Sequence, residues 1–546
     1  MNEKKQLNHA ALGGTDCLGR SFTPPGALPA KRQKLVGMFY FLSHDEESFP
    51  AGSVEFFEDT LAAYDVETLG SEASPFRDYP WGTAFYWGTP LYGCYKNTDE
   101  WVMRKHVELL TNAGIDFLVF DTTNTRIFAE AALRMMRILD EGRKGGWDTP
   151  KVAFYTNTDS GVRNKEIYEA IYAKNLYPDT WFCMDGKPVI IGILEQTDPE
   201  IAGFFHFKNS IWPNSPYRDN CFPWIDFGWP QTKYAAADGS ESIVSVSVAQ
   251  NSDVSACFGH NYFYGSDGCH GRSYHDGEAH ITEESYKYGY NFAEQWQGAA
   301  ALDPDIVFVT GWNEWTAGVW ANDKPVAVFD CLDAEYSRDI EPMVGGFGDA
   351  YYMQLVDEVR KFKGIDKEMS VSLPFVAENF TTAKIQREGD TYLGRITDDS
   401  IRNVITAVEV EKQGDCLLFH GKTRDVIDES DRIGDWMRLL VSTGDSNAFE
   451  YCFNVRADGN GKTVAARKQD GKWQRIGLID YKVEGREIVL TVPRAMLGDG
   501  KKLNFKWVDS VRHCRKGEDY YLYGSCAPLG ALCYSVTIDN NEESKG

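Results

Sequence analysis

Residues 306–320 read Ile306-Val-Phe-Val-Thr-Gly-Trp-Asn-Glu-Trp-Thr-Ala-Gly-Val-Trp320, and this stretch decides the fold class. Ile306 to Val309 form an apolar, largely β-branched run, the signature of a strand buried on both faces, as in a parallel sheet covered by helices. The run ends in Asn313-Glu314, with Trp312 and Trp315 on either side. The carboxyl end of such a strand is where an α/β barrel carries its chemistry, and indole faces beside a carboxylate suit the packing of a sugar ring. Glu314 is therefore read as a catalytic or substrate-gripping acid. The plainer reading is a Glu that braces loop backbone under a Trp-rich cap.

Outward from this stretch, strand-like runs recur at Leu35–Leu42, Asp116–Thr122, Val152–Asn157, Val189–Leu194, Phe222–Phe227, Val244–Ala249 and Val326–Phe329. With Ile306–Trp312 they make eight. Helical patterns lie between several of them: Asp99 caps a segment carrying Trp101, Val102, His106, Leu109 and Leu110, which ends at Gly114. Strand, helix, strand is the βαβ grammar, and eight such units predict a (β/α)8 TIM barrel, an α/β fold. Past Lys363 the pattern changes to short strands separated by turn residues, which predicts a C-terminal antiparallel β-sandwich. The expected division is an N-terminal arm over 1–30, lying on the first domain, a barrel over 31–365 and a sandwich over 366–546.

The 546 residues exceed what one hydrophobic core usually organises, in keeping with two domains. The formal net charge of -25 disfavours nucleic acid and anionic membrane surfaces as partners. Aromatic residues reach 14%, several clustered with Gly, Asn and Asp, which suits a glycan. The 12 cysteines show no regular spacing and read as mostly buried thiols, not as a disulfide framework. No secretory signal or transmembrane-length apolar run is present, so cytoplasmic residence is the default, with a secreted or periplasmic protein lacking its signal as the alternative.

Glycosidic hydrolysis usually needs two carboxyl groups flanking the anomeric carbon. Asp121, at the end of Phe117-Leu-Val-Phe120, is the leading partner for Glu314; Asp159, Glu195 and Asp226 also follow strand-like runs. Residues 251–280 hold His260, His270, His275 and His280 with Cys257, Cys269, Asp267 and Asp276. Zinc is one reading of that set, but the spacings fit no compact motif. The favoured reading is a loop that covers the sugar, with His260, Tyr262 and Tyr264 as hydrogen-bonding groups, no metal and no cofactor. Tyr336-Ser-Arg-Asp-Ile-Glu-Pro342 bunches charge after the last strand and reads as an ion pair of Arg338 with Asp339 or Glu341. No phosphate-binding glycine loop and no G-x-S-x-G elbow is found.

Four motifs in order, Trp87-Gly-Thr-Pro-Leu-Tyr-Gly-Cys-Tyr95, Ala113-Gly-Ile-Asp-Phe117, Phe120-Asp-Thr-Thr-Asn124 and Val309-Thr-Gly-Trp-Asn-Glu-Trp315, resemble bacterial proteins related to glycoside hydrolase families 71 and 99. The resemblance spans roughly residues 31–365. It implies a (β/α)8 barrel acting on an α-linked glycan. Family 99 carries a second acid three residues after the first, and Ala317 stands at that position here. The C-terminal stretches Asp435-Trp-Met-Arg-Leu-Leu-Val441 and Phe505-Lys-Trp-Val-Asp509 are similar to family 9 carbohydrate-binding modules, which can hold glycan or calcium. Together these readings predict a glycoside hydrolase with Glu314 and Asp121 as acids. Trp87, His106, Asn124, Asp226, His260, Tyr262, Trp312, Asn313 and Trp315 are the expected substrate contacts. The rival functions are a non-catalytic glycan-binding barrel and a metal-dependent hydrolase.

Overall fold

The computed structural model describes residues 4–44, 83–213, 215–250, 270–320, 327–329, 334–384, 401–444, 448–458 and 460–538. Eight parallel strands form its first sheet: β1 (Leu35–Tyr40), β2 (Phe117–Thr122), β3 (Lys151–Thr156), β4 (Lys187–Gly192), β5 (His206–Ile211), β6 (Cys221–Pro223), β7 (Ser242–Ser247) and β8 (Ile306–Thr310). Hydrogen bonding runs β7-β8-β1-β2-β3-β4-β5-β6, every pair parallel. β8 and β1, the last and first strands in chain order, are thus joined, leaving β6 and β7 as the two ends of the parallel run. Between β6 and β7 a two-residue strand, Tyr234–Ala235, pairs antiparallel with β7 and accepts a hydrogen bond at the Ala235 carbonyl from the Asn220 amide (2.9 Å). The barrel is nearly closed.

Alternate residues of each strand divide between two apolar layers. Phe39, Val119, Ala153, Tyr155, Ile191 and Phe308 pack together inside the ring, while Met38, Leu118, Phe154, Ile190, Val246 and Val309 join the helices outside. Burial on both faces is why these strands read as continuous apolar runs. The covering helices are α1 (Glu100–Asn112), α2 (Ala129–Lys144), α3 (Ser160–Ile167), α4 (Pro199–Phe204), α5 (Tyr290–Leu302) and α6 (Ala350–Lys363). The Asp99 side chain accepts from the Trp101 and Val102 amides, and Gly114 follows with φ +76°, so α1 is capped as its sequence predicts.

Two expectations need correction. Val326–Phe329 is not a barrel strand: Ala327–Phe329 pairs antiparallel with Thr316–Trp320, which pairs with Thr83–Tyr86 in a separate three-stranded sheet. The missing barrel strand is β5, His-Phe-Lys-Asn-Ser-Ile, whose polar composition hides it. Its Lys208 is buried and satisfied by an ion pair with Glu241 and a 2.8 Å hydrogen bond to Asn220 Oδ1. A regular (β/α)8 alternation is also not observed, because among the described residues no helix follows β5 or β6. Pro213, Pro216 and Pro230 lie in these connections, removing amide donors and restricting the preceding residue.

The C-terminal region is one continuous antiparallel sheet. From edge to edge it runs Leu12–Gly14, Leu532–Thr537, Lys502–Ser510, Asp435–Ser442, Tyr451–Ala457, Lys462–Gln469, Lys472–Glu484, Glu487–Pro493, Cys416–Thr423, Ile405–Gln413 and Phe375–Glu378. The sheet curls back on itself: Asn379 Nδ2 donates to the Cys526 carbonyl (3.2 Å), and Phe375 packs against Phe505 and Tyr534. The expected two-sheet sandwich is thus replaced by one curled sheet. The arm does not simply lie on the barrel, since Leu12–Gly14 forms an edge strand of this second sheet. It also touches α6, where Thr23 N donates to Asp357 (2.9 Å). Asp428, Asp431 and Asp435 do not converge on a calcium site; their carboxylates go to Ser430, to Ile433 N, and to His513 and Cys514 N respectively. No described helix is long and apolar enough to cross a membrane.

Candidate active site

Ladder register brings the two sequence-predicted acids to one end of the barrel. Val309 pairs with Met38 and Met38 with Leu118, so the exits of β8, β1 and β2 lie level. Asp121 shares the inward parity of Phe117 and Val119, which places it on the inner side at the carboxyl end; its Oδ1 accepts from Thr123 N (3.0 Å). Glu314 sits four residues beyond β8. Asn313 fixes it there, its Oδ1 accepting from Phe41 N (2.9 Å) while Nδ2 donates to the Phe41 carbonyl and to Tyr95 Oη (both 3.1 Å). The β8 exit is thereby clipped to β1, and the next side chain is held against the barrel mouth.

Glu314 is 8% exposed and forms an ion pair with the fully buried Arg338. The Arg338 guanidinium also lies over the Trp224 ring, 5.7 Å from its centroid, and Trp224 meets Trp212 edge to face at 5.5 Å. The mouth therefore combines an acid and two indoles from the ends of β8, β6 and β5 with a cation from the later segment around Arg338. The expected ionic partners of Arg338 need correction: Asp339 and Glu341 go to other donors.

Glu341 anchors a dry network. It accepts from Tyr95 Oη (2.7 Å), Trp315 Nε1 (2.6 Å) and His106 Nε2 (2.9 Å), and His106 Nδ1 meets the Tyr40 hydroxyl at 2.8 Å. Asp339 Oδ2 accepts from Trp87 Nε1 (2.8 Å), and Trp87 stacks on Trp315 at 5.1 Å. The other Asp339 oxygen is buried without a hydrogen-bond partner. Burial, opposed by Arg272 and the Trp87 bond, raises the Asp339 pKa to about 7. A raised folded-state value contributes stability below the ordinary 3.8 that is lost as pH rises through about 7. Relative to Asp339→Asn, the wild type should lose on the order of a few kcal/mol across that window, at about 1.4 kcal/mol per pKa unit. Thermal midpoints of both proteins between pH 4 and 8 check this, and parallel curves would contradict it.

The other predicted contacts separate. Trp87, His106, Trp312, Asn313 and Trp315 are all buried; their indole and imidazole faces pack on protein, with Trp312 against His106 and Tyr352. Asp226 braces its own loop, both oxygens taken by the amides of Gly228 (2.8 Å) and Thr232 (2.6 Å). Asn124 is exposed after β2, and Glu195 is exposed after β4. Asp159 occupies a left-handed turn before α3. His260, Tyr262, Tyr264, Cys257, Cys269 and Asp267 lie outside the described residues. Among those described, no group of three or more His, Cys, Asp or Glu is placed to hold a metal ion, and His270 is engaged by Gln250. Sequence reasoning does not pair Arg338 with Glu314 or place Trp224 under Arg338; the signal available was Arg338 inside a charged segment that also carries Ile340 and Pro342.

No protein-family model matches the chain, and no curated protein matches it. Among solved structures it is similar to the GH99 endo-alpha-mannosidase from Bacteroides thetaiotaomicron. The identity is 16% and the TM-score 0.37, over 61% of this chain and 99% of that one. The same enzyme in complex with bis-tris propane gives 14% identity and a TM-score of 0.34, over 60% of this chain and 97% of that one. Values this low assign no residue a role.

Proposed function

We propose that the barrel mouth processes an α-linked oligo- or polysaccharide as a glycoside hydrolase, with Glu314 as its essential carboxylate and Asp121 as the second acid. The observation that carries this reading is the position of Glu314: at the carboxyl end of a parallel barrel, beside the Asn313 clip, paired with Arg338 and at the same end as an inward-facing Asp121. A carboxylate paired to a guanidinium is held as the anion, the form that acts as base or nucleophile. Asp121 then takes the part of proton donor. Trp212, half-buried beside the buried Trp224, offers the apolar face for the sugar in place of the buried Trp87, Trp312 and Trp315.

A second reading is favoured by two particulars, Ala317 at the family's second acid position and the Arg338 pair that engages Glu314. In it, the barrel binds glycan without cleaving it. Reducing-end release and calorimetric binding, measured together on a panel of α-linked glycans, separate the two: release supports the hydrolase, and saturable binding without release supports the binding protein.

A further inference from the structure

A cavity of about 590 Å³ lies away from Glu314. Its wall includes Leu35, which opens β1, Asp116, just before β2, and Gly364, just after α6. It therefore sits at the amino end of the barrel, the length of a six-residue strand from the mouth, roughly 20 Å. The arm forms one side, the barrel floor another, and the chain leading into the C-terminal sheet a third.

Its charge runs against that of the whole chain. Lys5, Lys31, Arg32, Lys34, Arg360 and Lys363 line it, against three carboxylates, Asp116, Asp148 and Asp366, in a protein of net charge -25. Several cations are committed: Lys363 to Asp116 (2.7 Å), Lys34 to Asp303 (3.0 Å) and Lys5 to Glu378 (3.0 Å). Others keep capacity. Lys31 is exposed and makes no ion pair among the described residues. Arg360 is 3% exposed; it bonds Asp357 and the His9 carbonyl, while its Nη2 is buried with no hydrogen-bond partner. His9 bonds the Thr111 backbone, and its Nε2 is likewise buried without a partner. Burial, then the charges of Lys363, Arg360 and Lys31, push the His9 pKa down to about 3. Leu7, Ile115, Trp147, Val359 and Met369 supply apolar wall. Buried cationic donors beside apolar wall suit an anionic group carried on a small organic body.

We infer that this cavity is a binding site for a small organic oxyanion, a carboxylate or a phosphate ester, held by Arg360 and Lys31 at the junction of arm, barrel floor and C-terminal sheet. The site is independent of the glycan reading. Occupation would tie the three elements together and stabilise the fold by mass action.

Calorimetry and thermal melts of the full chain with citrate, glucose 6-phosphate and inorganic phosphate test it, with glucose as the uncharged control. The expected result is saturable binding of citrate or glucose 6-phosphate at millimolar concentrations or below, a raised thermal midpoint, and no response to glucose. Citrate alone identifies a carboxylate site, and the sugar phosphate alone a phosphate site. Lys31→Glu, an exposed change that leaves the fold intact, should weaken binding at least about tenfold, equivalent to about 1.4 kcal/mol. Glu314→Gln should bind the anion as the wild type does, so that failure at the mouth and failure at the floor are read separately. Absence of saturable binding by any of the three anions, or equal binding by Lys31→Glu, overturns the assignment.

Discussion

Glu314→Gln is expected to lower turnover of an α-linked glycan about 10²–10⁴-fold, the usual contribution of a positioned acid or base. Substrate affinity should change far less, because the substitution keeps the side-chain shape and removes only its charge. The change also removes the Glu314 charge from the buried Arg338 guanidinium, so a fall in stability accompanies the fall in rate; breaking a buried pair costs up to about 3–5 kcal/mol, less where the new group still accepts a hydrogen bond. Arg338→Met separates the two effects. It breaks the same ion pair while leaving the carboxylate in place, and should retain much more activity than Glu314→Gln at comparable stability. Equal rates for both variants, measured well below their melting temperatures, would mean that Glu314 serves only to neutralise Arg338.

The second large effect concerns stability. Glu341→Ala withdraws the acceptor of three buried donors at once, Tyr95 Oη, Trp315 Nε1 and His106 Nε2. Each unpaired buried donor costs about 1–3 kcal/mol, and the lost side-chain volume adds a cavity. A loss of about 3–5 kcal/mol is expected, a large part of the stability of a typical domain. Glu341→Gln should lose less, since its amide oxygen still accepts from part of the set. Chemical denaturation of the three proteins checks the order; an Ala variant within about 1 kcal/mol of wild type would show that the network is not a stabilising one.

What the sequence could show depended on whether a residue's chemistry was local. Seven barrel strands were legible because burial on both faces demands unbroken apolar runs, and α1 because Asp99 and Gly114 mark its ends within the chain itself. β5 was not, since its buried Lys208 is neutralised by Glu241 from a distant loop. Val326–Phe329 was misplaced for the converse reason: an apolar run does not say which sheet it joins. Glu314 and Asp121 were placed at the carboxyl end of the barrel from strand-end position, a local property. The use made of the tryptophans was not local. Trp87 and Trp315 each give an indole N–H to an acid of the 339–341 segment, and only the fold brings these groups together. The same segment's pairing of Arg338 with Glu314 spans the exit of β8 and the loop behind it, so its sequence neighbours Asp339 and Glu341 were the natural but mistaken partners.

Chemical rescue tests most directly whether the Glu314 carboxylate does chemistry. Glu314→Ala would be assayed on a cleaved glycan with increasing formate or azide, small anions able to enter the space left by the side chain. A near-inactive variant whose turnover rises with anion concentration, while the wild type does not respond, is the predicted result. Turnover at the wild-type rate without added anion would contradict it.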